Sequence, residues 1–300
     1  MTLRITEGVR YQTTLASMKS AQTGTTDIVE QLSTGKRINH PSDDPSGTEN
    51  LMVWDSARSE IAQYQSQISS TDLWLRTTDL VLGRVGDLVE QAADLAAGNV
   101  SSDSVQRGIA ADAIETIKTE LLSLANEKCG DRYLFAGTGA DEAAFSVTTD
   151  AFGNETFTYE GNDDGLTVAI GRQSTLEYST TGSDVFYLNG QSVFQVLADL
   201  TAALASGDSA AIGQGADDLE ALSTRVLEAQ SVNGVRQERL ESAKAYLTNL
   251  DAKLADLVDE TETADTSELA IQFSQQELAL EASYKLASRV NEISILDFMK

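Results

Sequence analysis

Only two prolines occur in 300 residues, Pro41 and Pro45, four positions apart. Proline inside a helix costs about 3 kcal/mol, because it removes a backbone donor and its ring strikes the preceding turn. A chain that confines both to one spot is free to build very long helices on either side. The block His40-Pro41-Ser42-Asp43-Asp44-Pro45 is therefore the sharpest break in the sequence. Asp44 before Pro45 reads as an N-cap followed by a first-turn proline, and Glu49 suits the positive end of the helix dipole.

Beyond that break, apolar or small residues recur in alternating steps of three and four: Ile61, Tyr64, Ile68, Thr71, Leu75, Thr78, Leu82, Val85, Val89, Ala92, Ala96. This is the seam of one helix lying along another. Drawn from Ser46 to Ala97 it would extend roughly 75–80 Å. Gly98-Asn99 ends it, Ser101 to Asp103 can cap the next helix, and that helix is expected to run to about Lys128. Its apolar face is read as Ile109, Ala113, Ile117, Leu121 and Leu124. The last third repeats the theme through Leu240, Ala243, Leu247, Leu250, Leu254, Leu257, Thr261 and Ala264. Periodicity then continues by Leu269, Phe273, Leu280, Tyr284, Ala287 and Val290 towards Leu296. Threonine or alanine stands at several of these positions, and each forgoes about 1.5–3 kcal/mol of burial relative to Leu or Ile. The first thirty residues offer few large apolar anchors, so the outermost ends are expected to be ordered by partners.

Residues 141–189 differ in kind. Turn signals separate four runs rich in Val, Thr, Phe and Tyr, expected as strands at Ala144–Thr149, Glu155–Glu160, Leu166–Gly171 and Ser174–Ser179. Seven of the eighteen aromatic residues fall between Phe145 and Tyr187, enough for a small core there. A helix over Val193–Ala205 leads back. The fold class expected is mainly α: a long antiparallel helical bundle or coiled coil formed by the N- and C-terminal segments, with a small inserted β-rich domain.

Composition excludes more than it names. A net charge of −26, from 47 acids against 21 bases, repels nucleic acid and anionic membrane surfaces. One cysteine, Cys129, rules out an internal disulfide, and one histidine, His40, argues against a zinc site. No apolar run approaches the roughly 18–20 residues that span a bilayer, and the first thirty residues lack a secretory signal peptide. By those rules alone the chain reads as cytoplasmic. Candidate chemistry dissolves on inspection. Asp43 and Asp44 read as turn and cap; Asn162-Asp163-Asp164-Gly165 lacks the bidentate Glu of a calcium loop. Cys129 sits at an expected helix end with no histidine near it in sequence. No enzyme activity and no cofactor are expected.

Three segments resemble the bacterial flagellin superfamily. The first runs Leu32-Ser33-Thr34-Gly35-Lys36-Arg37-Ile38-Asn39-His40-Pro41-Ser42-Asp43-Asp44-Pro45 and is similar to the block near the amino end of flagellins and hook-associated proteins. The last runs Leu280-Glu281-Ala282-Ser283-Tyr284-Lys285 and on through Ile293 to Leu296-Asp297-Phe298, similar to the superfamily's carboxy-terminal block. Between them, Arg132-Tyr133-Leu134-Phe135-Ala136-Gly137 resembles the hook-associated protein 3 branch rather than flagellin itself. Asp131 interrupts the usual Gly-Arg-Tyr, and Ala144 stands where proline is typical.

The resemblance implies a structural adaptor joining the flagellar hook to the flagellin filament, with bulk flagellin as the alternative. It implies secretion by the flagellar type III apparatus, which replaces the cytoplasmic reading. The implied partners are flagellin, a neighbouring hook-associated protein, copies of itself in a ring and an export chaperone. The family-motif positions carried over are Leu32, Ser33, Gly35, Lys36, Arg37, Ser42, Asp43, Asp44, Pro45, Tyr133, Phe135, Gly137, Leu280, Ala282, Tyr284 and Leu296. Three domains are expected: 1–40 with 265–300 as an assembly and export domain largely disordered until assembled, 41–140 with 190–264 as a helical rod, and 141–189 as an outer β-rich domain.

Overall fold

The computed structural model describes residues 7–139, 142–150 and 155–298, with side chains placed for residue 9 and for 12–139, 142–150 and 155–288. In chain order the elements are α1 (Glu7–Thr34), α2 (Pro45–Asn99), α3 (Ser104–Ala125), β1 (Lys128–Cys129), β2 (Arg132–Tyr133), β3 (Phe145–Thr149) and β4 (Glu155–Tyr159). They continue with β5 (Thr167–Gly171), β6 (Ser174–Glu177), α4 (Gly182–Phe186), β7 (Tyr187–Leu188), β8 (Gln191–Ser192), α5 (Val193–Ser206), α6 (Ser209–Glu262) and α7 (Thr266–Phe298). The architecture is mainly α, as expected from the proline-poor chain and its long seams.

Contacts group the chain into two units, Met1–Glu60 with Asn249–Lys300 and Ile61–Thr248. The divisions fall at Glu60 and Ile61 in α2 and at Thr248 and Asn249 in α6.

In the first unit α1 packs along α7. The start of α2 meets the end of α6 through Arg58 Nε and Asp251 Oδ1, 2.9 Å apart. One continuous carboxy-terminal stripe was expected; instead α6 stops at Glu262 and α7 starts at Thr266. Asp265 causes the restart. Its Oδ1 accepts from Ser267 N and Glu268 N, a side-chain cap that satisfies two orphan donors of the new helix.

In the second unit the expected seam of α2 is present. Ile61, Ile68, Leu75, Leu82, Val85, Val89, Ala92 and Ala96 are all buried. Its partner is α6, antiparallel: Gly83 lies against Gln230 and Gly86 against Val226, so one number falls as the other rises. α3 packs on α5 and is tied to α2 by Arg84 and Glu120, 2.6 Å apart. Two helix starts are capped by their own side chains, Asp103 for α3 and Ser192 for α5. The face of α3 keeps Ile117 and Leu121 of the expected row but turns Ile109 outward. Ile109 is 66% exposed, and the buried row is Ala110, Ile114, Ile117, Leu121 and Ala125. That row matches helical spacing equally well, and packing against α5 selects it. α3 also ends three residues early, so Cys129 lies in the β1–β2 hairpin and not at a helix end.

The strands form antiparallel pairs, β3 with β4 and β5 with β6, within a residue or two of expectation, plus two minimal hairpins, β1–β2 and β7–β8. They are not a free-standing β unit. Phe145 packs within 5.1–5.3 Å of Tyr159, Phe186 and Phe194, and Phe157 stacks on Phe194 of α5 at 5.3 Å. These rings share one core with α2, α3, α5 and α6. Each fully buried Leu or Phe contributes about 1.5–3 kcal/mol, so the hairpins and the helical body stabilise each other. Lys118 of α3 adds a buried latch. Its Nζ lies 2.8 Å from Glu115 and 2.6 Å from Glu155 of β4. Burial alone would lower its pKa, but the bonds to both carboxylates outweigh this and the net shift is upward.

Candidate functional site

The first family-motif segment folds as a clasp within the first unit. α1 ends because Gly35 takes the left-handed conformation, φ 71°, with its N–H bonded to Gln31 O at 2.8 Å. The next residues meet the α6–α7 joint in a single antiparallel bridge, Lys36 to Thr263. Arg37 N donates to Glu262 O at 2.6 Å and Ala264 N donates to Gly35 O at 3.0 Å. Lys36 Nζ meets Glu262 Oε1 at 2.5 Å, and the Arg37 guanidinium donates to Thr261 O at 2.9 Å and to Asp44 Oδ2 at 3.3 Å. Gln31 Nε2 closes the ring on Arg37 O at 3.0 Å. Both joints, α1–α2 and α6–α7, are thereby bonded to one another.

Asp43 and Asp44 serve this loop as turn and cap. The Asp43 carboxylate accepts from His40 N at 2.8 Å and from Asn39 N at 3.1 Å. Asp44 Oδ1 accepts from Gly47 N at 2.9 Å and from Ser46 Oγ, capping α2 directly before Pro45. Those donors, His40 N–H first for Asp43 and Gly47 N–H first for Asp44, hold both carboxyls below the ordinary Asp value. Ser33, Ser42 and Pro45 are exposed. Sequence reading missed the other half of the clasp, Thr261 to Ala264, by treating it as seam. The signal was Asp265 followed by Glu268, a helix-start pattern.

The carboxy-terminal motif lies on α7. Leu280 is half-buried, whereas Ala282 and Tyr284 are exposed. The side chain of Leu296 lies outside the described residues. The α1–α7 contact is close at Gly24, where a Cβ would lie 2.5 Å from Gln276 Nε2, and the same amide donates to Ala21 O at 3.3 Å. Leu32 is 37% exposed on α1.

The middle motif is placed elsewhere, in the second unit, and forms a polar knot around a buried ring. Phe135 has no exposed surface and meets Phe186 edge-on at 5.3 Å. Its carbonyl accepts from Tyr159 Oη and from Gly182 N, each at 2.9 Å. Burial pushes the Tyr159 hydroxyl up to about 12. Gly137, φ 66°, sits so close to Asn162 that a Cβ would lie 2.2 Å from its carbonyl oxygen. Tyr133 is half-buried under the Lys128 ammonium, 4.3 Å from the ring centre. Asn126 Nδ2 donates to Phe145 O at 3.0 Å and its Oδ1 accepts from Phe145 N at 2.9 Å. Among the described residues no group of three or more His, Cys, Asp or Glu is arranged to hold a metal ion, and no helix is long and apolar enough to cross a membrane.

Residues 5–140 match the bacterial flagellin N-terminal helical region. Flagellar hook-associated protein 3 of Escherichia coli is 25% identical, with 99% of this chain and 100% of that protein covered. That of Salmonella typhimurium is 27% identical over 187 residues, covering 61% of this chain but only 57% of the relative. In fold, a flagellar hook-associated protein from Vibrio parahaemolyticus superposes with a TM-score of 0.68 at 20% identity, covering 74% of this chain and all of that one. The flagellar hook-associated protein 3 of Legionella pneumophila gives 0.62 at 15% identity, covering 70% and 98%. In its end motifs, its flagellin-type amino-terminal region and its full-length likeness to hook-associated protein 3, the chain is similar to members of the bacterial flagellin superfamily.

Proposed function

We propose that this chain is a structural adaptor joining the flagellar hook to the filament, and that it acts by packing rather than by catalysis. It is a flagellar protein with flagellar components as its partners. The observation that carries the adaptor reading is the apolar surface left on the α1–α7 pair. Leu15 and Val29 of α1 are 54% and 47% exposed, and Ile271, Leu278 and Leu286 of α7 are 61%, 71% and 59% exposed. At 100° per residue the three on α7 fall on one face. Single exposed apolar residues are ordinary, but a row of them along a helix marks a surface built to be covered.

In this reading, flagellin covers part of that surface, a neighbouring hook-associated protein another part, and copies of this chain complete a ring. Leu32, Leu280, Ala282, Tyr284 and Leu296 become buried on assembly, while the Gly35–Pro45 clasp sets the joint from which both end helices project. Segments 1–40 and 265–300 form the assembly and export domain, ordered by those contacts. An export chaperone covers them beforehand, and the flagellar type III apparatus secretes the chain to the junction. Cells lacking the protein are expected to complete hooks and to release flagellin monomers into the medium. Filaments of normal length, or disappearance of a bulk filament protein of this mass, would support flagellin instead.

A further inference from the structure

Two long helices packed side by side need something to fix their register when the seam is rich in small side chains. The α2 side of the second unit's seam includes buried Thr71, Thr78, Ala92 and Ala96, which discriminate poorly between neighbouring alignments. Opposite them α6 buries Leu219, Leu222, Val226, Asn233, Leu240 and Leu247. Asn233 is the odd member. It has no exposed surface at a position where the row otherwise places leucine or valine.

Its amide is aimed at one atom. Asn233 Nδ2 donates to Leu75 O at 3.0 Å, and Gln237 Nε2, one turn further along α6, donates to the same carbonyl at 3.3 Å. Within the α2 seam only Leu75 is flanked on both sides by threonines. The Thr71 and Thr78 hydroxyls are turned onto Gln67 O and Trp74 O of their own helix, so they leave room for the amides without competing for them. Adhesion does not account for the arrangement. Asn233 Oδ1 is buried without a hydrogen-bond partner, as is Nε1 of Trp74, which precedes Leu75 in sequence, and an unmet buried polar group is a net cost. A leucine at 233 would bury more apolar surface and leave no orphan atom.

We propose that Asn233 and Gln237 are the register pin of the α2–α6 seam: they give up stability to make one alignment distinct from those a heptad away. Neighbouring bonds work in the same sense. Arg236, on the same turn of α6, donates to Ser179 O at 2.9 Å and to Thr180 Oγ1 at 3.3 Å, so the pinned turn also receives the chain leaving β6.

The test uses the full chain with Cys129→Ser and spin labels on Leu80→Cys and Tyr246→Cys, sites 75% and 66% exposed. A slip of one heptad moves α6 along α2 by about 10 Å, which pulsed electron-spin distance measurement resolves. With Asn233 and Gln237 present, one narrow distance distribution is expected. Asn233→Leu with Gln237→Leu should keep or raise the melting temperature while a second distance, shifted by about that amount, appears. A single unchanged distance in the double variant would overturn the proposal. So would a lower melting temperature or failure to fold, because the amides would then be holding the seam together rather than aligning it.

Discussion

Gly137→Ala inserts one methyl group at the tightest point of the middle motif, and its cost can be built from two parts. The first is backbone: φ is 66°, and an L-residue other than glycine loses about 1–2 kcal/mol in the left-handed region. The second is displacement, since the new Cβ would lie 2.2 Å from Asn162 O and 2.4 Å from its Oδ1. Asn162 must move away. That breaks its N–H bond to Ala136 O, its Oδ1 bond from Thr138 N and its Nδ2 bond to Thr138 Oγ1. At about 0.5–1.5 kcal/mol each, and with Thr138 exposed so that water replaces part of the loss, the three together contribute about 1.5–3 kcal/mol. Gly190 provides the control. Its φ is 86°, but a Cβ there meets nothing within 4 Å, so Gly190→Ala carries only the backbone part. Urea unfolding of the two purified variants should separate them by about 1.5–3 kcal/mol, or roughly 3–12 °C in thermal melting. Equal destabilisation would refute the reasoning, for it would mean that Asn162 yields freely and the knot holds nothing.

Three further outcomes are expected. Tyr159 is a proton donor whose folded pKa is about 12 against an ordinary 10, so the folded state holds the proton more tightly; stability should fall as pH rises from 10 towards 12, and Tyr159→Phe should flatten that slope in pH-dependent melting. Arg37→Lys should loosen the clasp nearly as much as Arg37→Ala, because one ammonium cannot span Thr261 O and Asp44 as the guanidinium does; hydrogen exchange at the Ala264 amide would quicken in both, and unchanged exchange would show that the backbone bonds suffice. Leu278→Asp should melt normally, its side chain being 71% exposed, yet fail to support a filament in a swimming assay with released flagellin counted; motile cells would show that this face of α7 stays uncovered.

The seams were the most legible part of the chain, since Ile61 to Ala96 follow a spacing that only a helix on a helix produces, and every large aliphatic in that series is buried. Where two rows of one helix fit the spacing equally, the sequence could not choose. Ile109 and Ile114 are both apolar, and contact with α5 alone decides that the second goes inside. The hairpins were placed closely by their turn residues, but their independence was not a local property. Phe145 and Phe157 find Phe194 far along the chain, so cutting the hairpins away would strip a core rather than trim an ornament. In the clasp, the Asp44–Pro45 cap was readable because it is local. At Thr261–Ala264 the helix restart was signalled by Asp265 and Glu268, but the pairing with Arg37 was not, because a backbone carbonyl that accepts a bond leaves no trace in residue type.

The clasp also sets an order of events on the ribosome. Lys36 and Glu262 are 226 positions apart, and the bonds that tie the loop after α1 to Thr261–Ala264 all reach across a comparable gap, whereas those within the loop are local. When the second unit already has all its residues from Ile61 to Thr248, the Glu262 and Gly35 ends of the clasp still cannot meet, for the chain between 249 and 264 is not yet made. Closure of so long a loop adds little to the final entropy, since the cost grows only as a logarithm of length, but it comes late in time. The first unit is therefore the portion of the newborn protein that stays open while the rest is already able to fold, and its two arms become one structure only after residues 249–264 have been made.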